Sequence, residues 1–307
     1  MVAVRLIGGP TAVLEYGGLR LVTDPTFDPA GEYPSPTGAP TYKTGEPSVP
    51  ASGLGHVDAV LLSHDQHPDN FDGSGRVFAA GVPLVLTTPA GAARLGGNAH
   101  GLSPWQTRNL LADNGSSVTV TAVPALHGPE GAERVLGAVT GFVLTAAGLP
   151  TVYVSGDNAS LPVVREIAER IGRVDVAVLF AGGARRHGLL DGALLTLDSA
   201  SAAQAADILR AGTVIPVHFE QWRHLSEGAE ALRAAFRAVG LDQRLILLAP
   251  GERVELPANQ QTGVRRVEHR YGPGARNRLA EAGTPIVDGA RAALESFYTK
   301  ETGSRPT

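Results

Sequence analysis

Short runs of apolar residues, broken by glycine and proline, open the chain. Residues 2–7, 12–16 and 19–23 read as three strands joined by Gly-Gly-Pro and Gly-Gly turns, a β-meander. Residues 27–55 are rich in Pro and Gly and show no period. A stretch of that length in a compact domain is a lid, a binding loop or a passive insert. Beyond it, apolar runs predict strands at 57–62, 84–87, 118–123, 141–145, 151–154, 174–180, 213–217 and 244–248. Helical spacing predicts helices at 89–95, with Thr88 as cap, and at 161–171, with Pro162 in the first turn. Two more fall at 199–209 and 227–239. A meander followed by strands alternating with helices predicts an α+β fold of two mixed sheets packed face to face, helices outside.

The polar residues that interrupt this pattern are placed in a telling way. Four predicted strands run directly into His64, His127, Asp157 and His218. A sheet aims side chains at one point from its strand ends, so these residues are candidates for a single site. The densest stretch is Ser63-His64-Asp65-Gln66-His67-Pro68-Asp69-Asn70-Phe71-Asp72, where two histidines and three aspartates follow one buried strand. Nitrogen and oxygen donors in that density suit a metal ion.

Composition narrows the chemistry. The 307-residue chain has no cysteine, which removes disulfides, thiolate metal sites and a cysteine nucleophile. A metal would rest on His, Asp, Glu and neutral oxygens, a set suited to Zn, Mn or Fe rather than Cu(I) or an Fe–S cluster. At 43% hydrophobic residues and a net charge of −4, the chain can bury a large core, and nothing points to nucleic acid or a membrane as partner. The first residues carry one Arg and too short an apolar run for a signal peptide, and no apolar segment approaches the roughly 20 residues of a membrane span. A cytoplasmic protein acting on a small-molecule substrate is expected; a homo-oligomer stays open.

Five features together resemble the metallo-β-lactamase superfamily over about residues 1–256. They are Asp24-Pro25, the Ser63–Asn70 stretch, Pro124-Ala125-Leu126-His127-Gly128, Ser155-Gly156-Asp157, and Pro216-Val217-His218-Phe219-Glu220. Within it the chain looks most like the branch containing L-ascorbate-6-phosphate lactonase. The resemblance implies a four-layer αβ/βα sandwich with a metal site at one edge, as a domain of residues 1–257 followed by an extension, 258–307. It departs from the family's first motif, H-x-H-x-D-H. Read without a gap, Gln66 takes the second His position; read with one inserted residue, His67 takes it, Asp69 the Asp position and Asn70 the last His. The gapped reading is preferred because it retains His64, His67 and Asp69.

On that reading the resemblance implies His64, His67 and His127 around a first ion, Asp157 as a bridge, and Asp69 with His218 at a second. Asn70 or Gln66 is left as a weak neutral ligand or a nearby donor. The expected cofactor is zinc, one or two ions, with Mn or Fe as substitutes; a site decayed to none is the other extreme. The expected activity is hydrolysis of a lactone, ester, amide or phosphoester, with Asp69 and Asp157 as catalytic carboxylates. The same site leaves room for lyase, isomerase or oxidoreductase chemistry, and the rival of another class is a non-catalytic binding protein. Ser63 and Ser155 lie outside any nucleophile elbow and are expected to serve turns. Asp24 is either a partner of a ligand histidine or a capped turn; Asp65 and Asp72 are structural.

For substrate contacts the candidates are Arg185 and His187, with Arg186 between them, after a glycine turn. Trp222 and His224 join them, sharing a face with His218 if that strand continues. In the extension, Arg265, Arg266, Arg270, Arg276 and Arg278 make a basic cluster on a tail, and residues 288–298 read as a short helix.

Overall fold

The computed structural model describes residues 2–36, 38–257 and 265–267. The meander forms as β1 (Val2–Gly8), β2 (Thr11–Tyr16) and β3 (Leu19–Thr23). The long Pro/Gly stretch holds a small hairpin, β4 (Gly31–Tyr33) and β5 (Thr41–Lys43). Then come β6 (Ala59–Leu61), α1 (Gly73–Ala80), β7 (Val85–Thr87), α2 (Pro89–Leu95) and β8 (Ala99–Gly101). The central part holds β9 (Thr107–Leu111), β10 (Ser117–Ala125), α3 (Glu133–Leu136), β11 (Val139–Thr145) and β12 (Val152–Val154). It ends with α4 (Leu161–Ile171), β13 (Val176–Phe180), α5 (Ser199–Ile208), β14 (Thr213–Val217), α6 (Ala229–Ala238), β15 (Arg253–Leu256) and β16 (Arg265–Val267).

One sheet runs β16-β15-β1-β2-β3-β6-β7-β8 and the other β14-β13-β12-β11-β10-β9. Each is mixed: β3, β6, β7 and β8 are mutually parallel, as are β12, β13 and β14, while the remaining pairs are antiparallel. Leu6, Leu14, Leu21 and Leu61 of the first sheet pack against Val120, Phe142, Val154 and Ile215 of the second. On the outer face of the second sheet Tyr153, Val123 and Leu179 pack under Ile167 of α4, Ala202 of α5 and Phe236 of α6. On the outer face of the first, Val22, Val60 and Val85 lie under Ala79 of α1 and Leu95 of α2. Helix, sheet, sheet, helix: this is the expected α+β, four-layer αβ/βα sandwich. Strands covered on both faces explain why several read as continuous apolar runs rather than alternating ones.

Local signals set the helix starts. Asp72 accepts from Gly75 N, Thr88 from Gly91 N and Ser160 from Val163 N, and Asp198 forms a reciprocal cap with Ser201. The strand expected at 244–248 is not one. Leu245 makes a single bridge to Val214, and the chain then crosses from one sheet to the other. Ile246 and Leu248 drop between the sheets while Leu245 and Leu247 face the helix layer, so the apolar run is real but the ladder is absent. The strand pairing with β1 is instead β15. Helix α1, capped by Asp72, fills the link before the strand at 84–87, which the sequence leaves as helical or irregular. Strands β8 and β9 had no sequence counterpart; β9 is an exposed edge strand without a buried face to give it a period. Arg265–Val267 of the C-terminal extension adds the outermost strand of the first sheet. Arg270, Arg276, Arg278 and the helix expected at 288–298 lie outside the described residues. Among the described residues no helix is long and apolar enough to cross a membrane.

Candidate metal centre

The C-terminal ends of β3, β6, β10, β12 and β14 meet at one edge of the sandwich, and the segments leaving them carry Asp24, His64, His127, Asp157 and His218. Backbone bonds lock the two sheets together here: Thr140 N donates to Ser63 O at 3.0 Å, and His218 N to Gly9 O at 2.8 Å. Asp24 and His218 sit at positive φ, 28° and 53°. Non-glycine residues hold that conformation at a cost, and such strain gathers at functional sites.

His64, His67 and His127 form a first cluster, all buried. His67 Nδ1 lies 2.9 Å from His64 Nε2 and 3.3 Å from His127 Nε2. Three imidazole nitrogens bound to one ion at about 2.0–2.1 Å in tetrahedral geometry would stand about 3.3 Å apart. Asp69, His218 and His224 form a second cluster, with Asp69 Oδ2 2.9 Å from His224 Nε2 and 3.5 Å from His218 Nε2. Asp157 lies between the two: Oδ1 is 3.1 Å from His218 Nδ1 and Oδ2 is 3.6 Å from His127 Nε2.

Four of these imidazoles have one nitrogen tied to the protein and the other aimed into a cluster. His127 Nδ1 donates to Leu195 O at 2.7 Å, and His218 Nδ1 to Asp157 Oδ1. His64 Nδ1 donates to Ser63 Oγ at 2.9 Å, and that hydroxyl donates to Asp24 Oδ2 at 2.5 Å. His224 Nδ1 meets Thr41 Oγ1 of β5 at 3.2 Å. Holding one ring nitrogen fixes the tautomer and turns the other lone pair toward an ion. His218 Nε2 and Asp157 Oδ2 are buried and have no hydrogen-bond partner. Orphaned donors of this kind cost stability unless something binds them, and the donor set fits a divalent cation.

The electrostatics of the first cluster agree. Burial, then the neighbouring His67, holds His64 well below the usual imidazole range; burial and His127 bring His67 down to about 4. Both rings are therefore neutral, as ligands require. Burial alone would raise the two carboxyls, but His224 and His218 hold Asp69 well below the usual range, and His218 and His127 do the same for Asp157. Burial disfavours charge on His218 too, yet Asp157 and Asp69 outweigh it and push the ring up to about 10. Burial pushes Asp24 up to about 7 against hydrogen bonds from Ser63 and Asn70.

The motif stretch resolves residue by residue. Gln66 points away from both clusters. With its nitrogen toward Asp65, its amide donates to Asp65 Oδ1 at 3.2 Å and accepts from Arg94 at 2.9 Å, and it leaves no room for a side chain at Gly137. His67 and Asp69 face inward. Asn70 is buried, with Nδ2 donating to Asp24 Oδ2 at 3.0 Å and to Asp157 Oδ1 at 3.2 Å, so its amide braces two carboxylates. Asp65 turns out of the site and takes a two-pronged bond from Arg94, at 2.6 and 2.8 Å.

The strand after His218 does not continue: β14 stops at Val217, and His218 and Gln221 both adopt positive φ. Trp222 and His224 are therefore placed by a loop, not by alternation. Trp222 is buried beside Tyr33, Lys43 and His224, and His224 joins Asp69 and His218. Arg185 is exposed and bonds Gly192 O at 2.8 Å, and His187 is exposed on the same loop. Arg186 is the one whose charge reaches His67, while its guanidinium bonds Ser35 Oγ, Ala39 O and Pro40 O beside the hairpin.

Residues 19–219 match the β-lactamase superfamily domain. The chain belongs to that superfamily. Among curated relatives, a UPF0173 metal-dependent hydrolase from Methanosphaerula palustris is 31% identical over 206 residues, 65% of this chain and 84% of that protein. One from Pyrococcus abyssi is 25% identical over 258 residues, 83% of this chain and 100% of the relative. The crystal structure of a possible metal-dependent hydrolase from Veillonella parvula superposes with a TM-score of 0.71 at 18% identity, covering 83% of this chain and 100% of that one. The relatives place this β-lactamase superfamily member among metal-dependent hydrolases. The membership of His224 in the second cluster had only one sequence signal, a histidine six residues beyond a strand-end histidine. Neither Leu195 nor Thr41, which hold the His127 and His224 rings, had any.

Proposed function

We propose that this member of the β-lactamase superfamily is a two-ion metallo-hydrolase that uses activated water on a lactone, ester, amide or phosphoester of a small molecule, with lactones the first class to test. The observation that carries the reading is the pair of adjacent donor clusters, three buried histidines beside Asp69-His218-His224, with Asp157 between them. Five imidazoles and two carboxylates favour zinc, with Mn or Fe as substitutes. When bound, such ions lower the pKa of water from 15.7 toward about 7 and polarise the oxygen of the bond under attack.

The chain's own residues do the rest. Asp69, held ionised between two histidines, is the base that takes the water's proton and returns it to the leaving group. Asp157 holds the His218 ring in place and keeps negative charge between the clusters. A serine nucleophile finds no support. Ser63 Oγ is engaged between Asp24 and His64, and Ser155 Oγ donates to Gly156 O and accepts from Phe180 N. The β4–β5 hairpin is tied to the loop after β14 by Thr44 N to Gln221 O at 2.8 Å and Arg223 N to Tyr42 O at 3.0 Å, and so roofs the second cluster. Trp222, with Tyr33 of the hairpin edge-on to it, is the aromatic wall proposed for the substrate, and Arg186, whose charge reaches His67, is the basic group proposed for its approach.

The test is hydrolysis of a panel of lactones, carboxylic esters, amides and phosphoesters by protein stripped with chelator and then reloaded. Turnover of one class that disappears on stripping and returns with Zn, Mn or Fe supports the reading. Turnover that survives complete stripping removes it.

A further inference from the structure

The first motif of this chain lacks one imidazole: Asn70 stands where the gapped register places the last histidine. The structure shows what has become of both halves of that loss. The Asn70 nitrogen donates to Asp24 and Asp157, which draw it into the carboxylate framework, while its Oδ1 is buried without a hydrogen-bond partner. His224 arrives from a different segment, the loop after β14, and sets its Nε2 2.9 Å from Asp69 Oδ2. Its ring is 6.2 Å from that of His218, and its Nδ1 is held by Thr41 of the hairpin. At 13% side-chain exposure it sits at the mouth of the site, whereas Asn70 is sealed beneath.

We propose that His224 is the third protein ligand of the second ion, replacing the imidazole absent at Asn70, and that the β4–β5 hairpin orients it through Thr41. The inference rests on the two-ion reading above. Two independent features support it. His218 Nε2 is buried with no hydrogen-bond partner and lies 3.5 Å from the same Asp69 oxygen that His224 approaches, so both rings converge on one carboxylate. The tether at Nδ1 is the arrangement that His64, His127 and His218 also have, one nitrogen fixed and the other offered. A histidine placed only to touch substrate would need neither. The second site is thus assembled from two segments, Asp69 after β6 and the loop after β14 that carries His218 and His224, with the hairpin fastened to that loop. Hairpin and ion then depend on one another, because the ion needs the ring that the hairpin aims.

The experiment uses the full chain and Co²⁺ as the probe, following uptake by equilibrium dialysis and the visible spectrum. Wild-type protein is expected to take up two equivalents. H224A is expected to keep the first and to bind the second on the order of 100- to 1000-fold more weakly, the share of one ligand among four. H224C gives a direct readout, because the natural chain has no cysteine. A thiolate-to-cobalt charge-transfer band in H224C, absent from wild type and from T41C, reports a ligand bond at this position that a merely structural role would not produce. Two equivalents of unchanged affinity in H224A overturn the assignment of His224 and leave the two-ion reading standing. Failure of wild-type protein to bind cobalt at all removes both.

Discussion

The choice between Gln66 and His67 gives the sharpest prediction, because the two side chains are adjacent in sequence and opposite in direction. His67 Nδ1 is the middle donor of the first cluster, 2.9 and 3.3 Å from its two neighbours. A four-ligand zinc site is worth roughly 10–16 kcal/mol, so one ligand accounts for about 3–4 kcal/mol, or 100- to 1000-fold in affinity. H67A should therefore weaken the first ion by that factor. Gln66 touches Asp65 and Arg94 and faces Gly137, outside the cluster. Q66A removes two hydrogen bonds near the surface, each worth about 1 kcal/mol, and should leave metal affinity within about threefold of wild type. Competition with a chromophoric chelator measures both variants on the same scale. Tight binding retained in H67A but lost in Q66A would show that the ungapped register is correct and that the cluster described above does not hold the ion.

Other consequences follow from the surroundings of the site. Asp65 is fully buried and its main charge partner is Arg94, 28% exposed, so R94M leaves a carboxylate uncompensated; urea denaturation should show a loss of about 2–4 kcal/mol, and a loss under 0.5 would mean the pair is immaterial. D24N keeps the shape of the group that Ser63 uses to orient His64 but removes its charge, and should cost about 10- to 100-fold in first-ion affinity by chelator competition. Asp72, which caps α1 and pairs with buried Lys43 at 3.3 Å, is pushed up to about 6, mainly by burial. A carboxyl raised in the folded state adds stability that is complete below its unfolded value near 3.8 and is lost as pH rises through about 6. The stability of wild type minus that of D72N should fall by up to about 3 kcal/mol between pH 4 and 7 in urea titrations, and a rise over that window would contradict the assignment.

Much of this could be read in the chain itself, for physical reasons that differ by element. Strands such as β1, β2, β13 and β14 are buried on both faces and announce themselves as apolar runs. Helix α4 carries a proline and a serine cap at its start. The strand-end placement of His64, His127, Asp157 and His218 pointed to one site because a sheet converges its strand ends. What could not be read lacks a local cause. The 244–248 run was buried by crossing between layers rather than by pairing, and composition alone does not separate the two. His224 reaches Asp69 only because two residues with positive φ, His218 and Gln221, redirect the chain after β14. The orienting partners Leu195 and Thr41 are ordinary residues made useful by position. The hairpin inside the Pro/Gly stretch is held mainly by the loop it covers, so no pattern of its own marks it.

A crystal structure of the metal-loaded chain, with anomalous scattering collected at the edge of the bound metal, tests the central claim most directly. Two peaks per chain are predicted, one among His64, His67 and His127 and one among Asp69, His218 and His224, with Asp157 between them. No peak in either cluster, or a peak coordinated by Gln66, would contradict it.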